Sequence, residues 1–184
     1  MTTPSMDVDY DGDLPDDCGD LGIRIDRQGR WFYHGSPINR KEMVCLFASV
    51  MHRAKDGTYL LITPGEMGRI EVEDVPFLAV EMYVGGCGRE RVISFRTNMD
   101  EMVTVDAAHP LRIVEDAHGV EGETSPYVLV RNGLEARLTR SVYYGLIDQC
   151  YSEIFDGGGE EGKPLNRFGL WSSGVFFELG KLDD

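Results

Sequence analysis

Residues 29–51 read Gly29-Arg-Trp-Phe-Tyr-His-Gly35-Ser-Pro-Ile-Asn39-Arg-Lys-Glu-Met-Val-Cys-Leu-Phe-Ala-Ser-Val-Met51, and this stretch decides the fold. Trp31, Phe32 and Tyr33 suit a pleated strand, whose surface accommodates large rigid rings. Gly35 supplies a turn position at positive φ, and Pro37 keeps the return strand from pairing fully because it has no N–H to donate. Asn39 can accept a backbone N–H as an N-cap, with Glu42 three residues on. Met43, Phe47, Val50, Met51 and Ala54 then repeat at helical spacing. Val44, Cys45, Leu46 and Ala48 widen that stripe, so the expected helix runs toward Ala54 and is buried on most sides.

The same grammar returns at Tyr127-Val-Leu-Val-Arg131, Asn132-Gly133 and Leu134-Glu-Ala-Arg-Leu138. Asn-Gly between alternating apolar runs is a strong hairpin signal. Leu134, Ala136 and Leu138 share one face, Glu135 and Arg137 the other. Thr139 is the expected N-cap of a second helix, with Val142, Tyr143, Leu146, Ile147, Cys150 and Ile154 as its apolar stripe. Each helix is followed by two apolar strands, at 58–63 and 68–73 in the first half and at 168–171 and 175–179 in the second. Further strands are expected at 23–26, 30–33, 77–84, 91–96, 102–105 and 111–115. The result is an α+β chain, mostly antiparallel β with two principal helices, built from a duplicated hairpin-helix-strand-strand unit. Residues 1–20 are expected as an acidic loose arm, 21–80 as an N-terminal subdomain and 81–182 as a C-terminal one.

The bulk properties narrow the function. Of 184 residues, 42% are hydrophobic and 27% charged, the balance of a globular chain with a core. No apolar run reaches the roughly 18 residues of a membrane span, and no N-terminal segment reads as a signal peptide, so the expected location is the cytoplasm with no membrane partner. The formal charge is −14, and the seven aspartates of residues 1–20, with no Lys or Arg among them, carry half of it. Such a balance argues against nucleic acid, whose phosphates need a basic face. It leaves room for a small anion held by local arginines, which outnumber lysines 14 to 4 and offer a planar fork. Cys18, Cys45, Cys87 and Cys150 are widely spaced, and no disulfide framework is expected.

Several catalytic or metal readings fail on residue type. Asp7-Val-Asp-Tyr-Asp-Gly-Asp13 opens like a calcium loop, but its twelfth position is Cys18 where a bidentate Glu is required. Gly157-Gly-Gly-Glu-Glu-Gly-Lys163 resembles a phosphate loop, but Pro164 stands where Ser or Thr should hold magnesium. His34, His52, His109 and His118 have no metal-ligand spacing, and no Gly-x-Ser-x-Gly elbow occurs. Asp106, His109 and Asp116 lie close in sequence, as a base with an orienting carboxylate would, but no nucleophile completes them. No cofactor is expected. What remains is Arg96-Thr-Asn98-Met-Asp100 with His109-Pro-Leu-Arg112, joined by Arg131. These donors and acids at strand ends suit either a polar ligand or salt links between strands.

The motifs Gly29-Arg-Trp-Phe-Tyr-x-Gly35-Ser-Pro-Ile38, Leu46-Phe-Ala-Ser49, Thr63-Pro-x-Glu66-x-Gly68-x-Ile70-x-Val-Glu-Asp-x-Pro-Phe77, Arg96-Thr-Asn98 and His109-Pro-Leu-Arg112 together resemble the bacterial family catalogued as domain of unknown function 1285. The resemblance covers residues 21–179. It implies a duplicated α+β core, a second half like a pleckstrin-homology fold, and a cleft between the halves for a nucleotide-like ligand in signal transduction. It implies no catalytic residues. The expected function is therefore non-catalytic sensing of a small anionic ligand, with Arg96, Asn98, His109, Arg112 and Arg131 as contacts and Trp31 or Tyr33 as stacking surfaces. The alternatives are a protein-interaction adaptor using an aromatic face around Trp31 and Trp171, or an enzyme acting on a phosphorylated metabolite.

Overall fold

The structure is a computed structural model that describes residues 15–115, 124–155 and 165–181. Contacts divide the chain into two compact units. The first comprises the residues up to Leu78 with Val130–Ala136; the second comprises Ala79–Leu129 with the residues from Arg137 on.

The first unit carries β1 (Asp16–Ile25), β2 (Trp31–Tyr33), β3 (Ser36–Pro37), α1 (Lys41–Ser49), β4 (Met51–Arg53), β5 (Tyr59–Ile62) and β6 (Glu66–Val72). Its strands form one sheet in the order β3-β2-β1-β6-β5-β4. The β1–β6 pair is parallel, ending at Ile25 opposite Val72, and the other pairs are antiparallel. His34 and Gly35 both have positive φ, 44° and 80°, and Tyr33 pairs with Ser36. That is the two-residue primed turn whose twist matches the flanking strands. The core holds Ile25, Trp31, Leu60, Ile62, Met67 and Phe77, each such side chain contributing about 1.5–3 kcal/mol by leaving water. Arg131 Nη2 donates to the Ala48 carbonyl at 2.9 Å, and Arg53 Nη1 donates to the Gly133 carbonyl at 3.1 Å. The second hairpin's tip is thereby tied into this unit.

The remaining elements are β7 (Phe77–Gly85), a 3-10 turn at Gly88–Glu90, β8 (Val92–Thr97), β9 (Met102–Thr104), β10 (Leu111–Val114), β11 (Ser125–Arg131), β12 (Leu134–Leu138), α2 (Arg140–Ile147), β13 (Tyr151–Phe155), β14 (Leu165–Ser172) and β15 (Val175–Lys181). They build a second six-stranded sheet, β10-β11-β12-β7-β8-β9, and a three-stranded sheet, β13-β14-β15. Within the second unit, buried Ser172 accepts the Ile93 N–H at 3.0 Å and donates to the Val105 carbonyl at 2.6 Å, so β14 is fastened to β8 without leaving either backbone group unpaired. The architecture is the expected α+β one, two helices among strands with two similar six-stranded sheets. The pattern hairpin, helix, then strands occurs twice. The strands form two sheets here, and a pleckstrin-homology fold does not follow from their order alone.

Four expectations are corrected. Both helices are shorter than their apolar stripes. α1 stops at Ser49 and α2 at Ile147, with β4 beginning after Val50 and β13 after Asp148-Gln149-Cys150, so Met51 lies in β4 and Ile154 in β13. Apolar residues of the strand that follows each helix continue the helical count by coincidence of spacing. Only Val44 and Ala48 of α1 are buried, and Val142 and Leu146 of α2, so α1 is half-covered rather than buried on most sides. The N-cap of α1 is Arg40 rather than Asn39, and neither it nor Thr139, the N-cap of α2, makes a side-chain cap bond. The arm expected over residues 1–20 is corrected at its end, because β1 begins at Asp16 and Asp16, Asp17 and Asp20 pair with β6. Asp17 and Asp20 each accept the backbone N–H two residues on, at Gly19 and Gly22, an Asx turn that lets an acidic segment kink within a strand. The calcium-like run before Leu14, the phosphate-loop-like run and Asp116 lie outside the described residues.

Candidate functional site

Among the described residues of the first unit, two hollows adjoin at α1. The larger, about 610 Å³, is lined by Ile23, Tyr33, Ser36, Pro37, Ile38, Asn39, Arg40, Met43 and Phe47. Local sequence explains it. β3 ends at Pro37, which cannot extend the ladder, so the sheet edge stops short of α1. Tyr33 stays 53% exposed and Met43 37% exposed at its mouth, and Ile23 and Phe47 form its wall. The volume falls within the range of small-molecule sites, roughly 300–1,000 Å³. Arg40 is the one charged residue in that lining, in a chain of net charge −14.

The second hollow, about 270 Å³, is lined by Leu21, Ile23, Tyr33, Phe47, Val50, Leu61, Thr63, Glu66, Met67 and Gly68. Gly68 matters here by size. A Cβ at this position would collide with the Leu21 side chain, so only glycine lets Leu21 lie against β6.

The residues singled out in the sequence fall in different places. Arg96 on β8 forks onto Glu81, with Nε to Oε2 at 3.0 Å and Nη2 to Oε1 at 2.5 Å, and its Nη1 reaches Asp100 at 2.5 Å. Arg96 hydrogen bonding, then the Tyr83 hydroxyl, holds the Glu81 carboxyl down to about 2, and Glu81 in turn keeps the guanidinium more firmly protonated. Both carboxylates occupy the donor directions that an external anion would need. Asn98 lies half-buried in the turn from β8 to β9. His109 follows β9; its Nδ1 lies 3.0 Å from Asp106 Oδ1, which also accepts the His109 and Ala108 N–H groups. Partial burial pushes the Asp106 carboxyl up, and these bonds from His109 and Ala108 outweigh it and bring it below the ordinary value. Arg112 stacks on the Tyr127 ring at 4.4 Å. Arg131 is engaged by Ala48 and lies 5.4 Å from the Phe77 ring centroid. Trp31 is corrected: it is 2% exposed and packs on Phe47 inside the core, so it offers no stacking surface and the aromatic face loses one of its two members. Trp171 is half-buried, with Arg89 over its ring at 5.0 Å. Of the seven residues, Tyr33 alone lines the hollows.

Ile23, Ile38, Arg40, Met43 and Phe47 had not been singled out as site residues. The sequence did carry one signal for them: Pro37 two residues after a turn glycine announces a sheet edge that stops early, next to the start of an amphipathic helix. Among the described residues no group of His, Cys, Asp and Glu is arranged to hold a metal ion, and no helix is long and apolar enough to cross a membrane. All four cysteines are free.

Fold and site together define a duplicated α+β protein with an apolar hollow in its first unit. The chain belongs to the DUF1285 family: the domain described as "Domain of unknown function (DUF1285), N-terminal domain" matches residues 11–75, and "Protein of unknown function (DUF1285), C-terminal domain" matches residues 76–179. A crystal structure of a DUF1285 family protein from Silicibacter pomeroyi DSS-3 is similar at 42% identity and a TM-score of 0.78, over 91% of this chain and 84% of that one. Another, from Shewanella baltica OS155, is 27% identical with a TM-score of 0.56, over 70% of this chain and 91% of that one. No curated protein matches the chain.

Proposed function

We propose that the chain is a cytoplasmic, non-catalytic sensing module that binds a small anionic amphiphile in the larger hollow of its first unit. One observation carries this reading: an apolar cavity of small-molecule size whose single charge is the Arg40 guanidinium. An apolar body would bury against Ile23, Met43 and Phe47, and an acidic end would face Arg40. One cation suits a monoanion better than a nucleotide polyphosphate, which needs several donors. The role in signal transduction and the pleckstrin-homology likeness implied by the resemblance belong to the same reading.

Calorimetric titration with medium-chain carboxylates, against nucleoside monophosphates, tests it. The carboxylates should bind and Arg40→Ala should weaken them about five-fold, the worth of roughly 1 kcal/mol for an exposed charge pair. Met43→Asp should abolish binding by setting a carboxylate in the apolar wall. Affinity unchanged by both substitutions would place the ligand elsewhere.

A further inference from the structure

We propose that the ligand has two charged ends: acidic at one, apolar along its middle, and cationic at the other, as in an ω-amino carboxylate. The inference rests on the binding reading above and extends it along the second hollow. The two hollows share Ile23, Tyr33 and Phe47, so they adjoin at the same apolar residues. In the larger hollow the lone charge is Arg40; in the smaller it is Glu66. Neither side chain takes part in an ion pair or side-chain hydrogen bond among the described residues. Both stand on fixed backbone. The Arg40 carbonyl accepts the Val44 N–H at the start of α1. Glu66 is clasped by Thr63, whose hydroxyl accepts the Glu66 N–H at 3.2 Å and donates to its carbonyl at 3.0 Å. Two adjoining hollows, one bordered by Arg40, the other by Glu66, with apolar residues shared between them, are complementary to a dipolar, elongated molecule. A monocarboxylate would use only one of these charges. A diacid would bring like charge to Glu66, an arrangement that costs affinity.

The test compares, by calorimetry, unbranched monoacids, diacids and ω-amino acids matched in length from hexanoate to decanoate. With the unaltered protein the ω-amino acid should bind tightest, about three-fold better than the monoacid, as one exposed ion pair allows. Glu66→Lys should reverse the order and make the diacid tightest, while circular dichroism confirms that the variant folds. An order unchanged by Glu66→Lys, or a monoacid that binds the unaltered protein as well as the ω-amino acid does, overturns the inference. In those cases, monoacid binding that still depends on Arg40 leaves the pocket reading standing. If no amphiphile of any kind binds the unaltered protein, both fail.

Discussion

The run from β2 to β6 and the run from β11 to β15 are two versions of one design. Each opens with a two-residue turn in which both residues have positive φ, His34-Gly35 in one and Asn132-Gly133 in the other. Each continues into a short helix that buries two residues four apart, Val44 and Ala48 or Val142 and Leu146. Each helix leads straight into a three-stranded antiparallel meander. The versions part where strands meet other partners. β6 takes β1 as a parallel neighbour and joins a six-stranded sheet, whereas β13-β14-β15 stays a separate sheet. The first hairpin has strands of three and two residues; the second has seven and five.

That difference shapes the surface beside each helix. Beside α1 the short hairpin leaves an apolar hollow with Arg40 unengaged. Beside α2 the hollow is more open, about 370 Å³, and lined by Val80, Glu81, Met82, Tyr83, Ser141, Val142 and Gly145. Its one charge, Glu81, is already held by Arg96. Repeating a supersecondary unit therefore does not repeat the hollow beside it. The apolar one adjoins the copy whose hairpin ends early.

The sharpest way to break the comparison is through the helices. Leu146 is fully buried in α2, and Leu146→Ala should cost about 3 kcal/mol in urea denaturation, while Val44→Ala in α1, a smaller deletion, should cost about 1.5 kcal/mol. An equal loss from the smaller deletion would show that α1 is packed more tightly than α2. The turns provide a finer test. A Cβ at Gly35 meets nothing, and one at Gly133 meets only the Arg53 stem at ordinary contact distance. Gly35→Ala and Gly133→Ala should each cost about 1 kcal/mol, the backbone penalty of a positive φ alone. Gly22→Ala should cost more, because a Cβ there also strikes the His34 ring. A marked inequality between the first two would show that the turns are not equivalent.

The smallest effect concerns the charge pair beside α2. Glu81 has its pKa lowered from 4.5 to about 2 by Arg96 and then Tyr83. A carboxyl with a depressed folded-state pKa stabilises fully above its unfolded value, and that contribution is lost as pH falls through the folded one. The melting temperature should therefore decline between about pH 4.5 and 2, and Arg96→Gln should flatten that part of the profile and return the Glu81 carboxyl NMR titration to the ordinary range. An unchanged Glu81 titration in Arg96→Gln would show that the fork does not form in solution.

Most strands could be read from alternation and turn residues, because a strand's faces and a primed turn are set by neighbours within a few positions. The Asn132-Gly133 hairpin is the clearest case, and the match of Gly35 to Gly133 marks the repeated unit within the sequence itself. The helix ends could not be read this way, since Val50-Met51 continue an apolar run, and Cys150 and Ile154 continue the helical spacing past Asp148-Gln149, while the backbone changes from helix to strand. Nor could the pairing that turned Asp16–Asp20 into a strand, whose partner β6 lies some fifty residues away.

From its own residues the chain determined its class, its repeated unit and the residue types available to bind an anion. Which arginines remain available was a tertiary decision. Arg96, Arg112 and Arg131 look alike in sequence to Arg40, and only packing showed that a carboxylate, a ring and a carbonyl had claimed them. Burial is likewise collective: Trp31 and Tyr33 sit two residues apart on one strand, yet one is sealed in the core beside Phe47 and the other lines the hollows. The pattern of one strand cannot say what will cover it; that depends on elements that arrive from elsewhere in the chain.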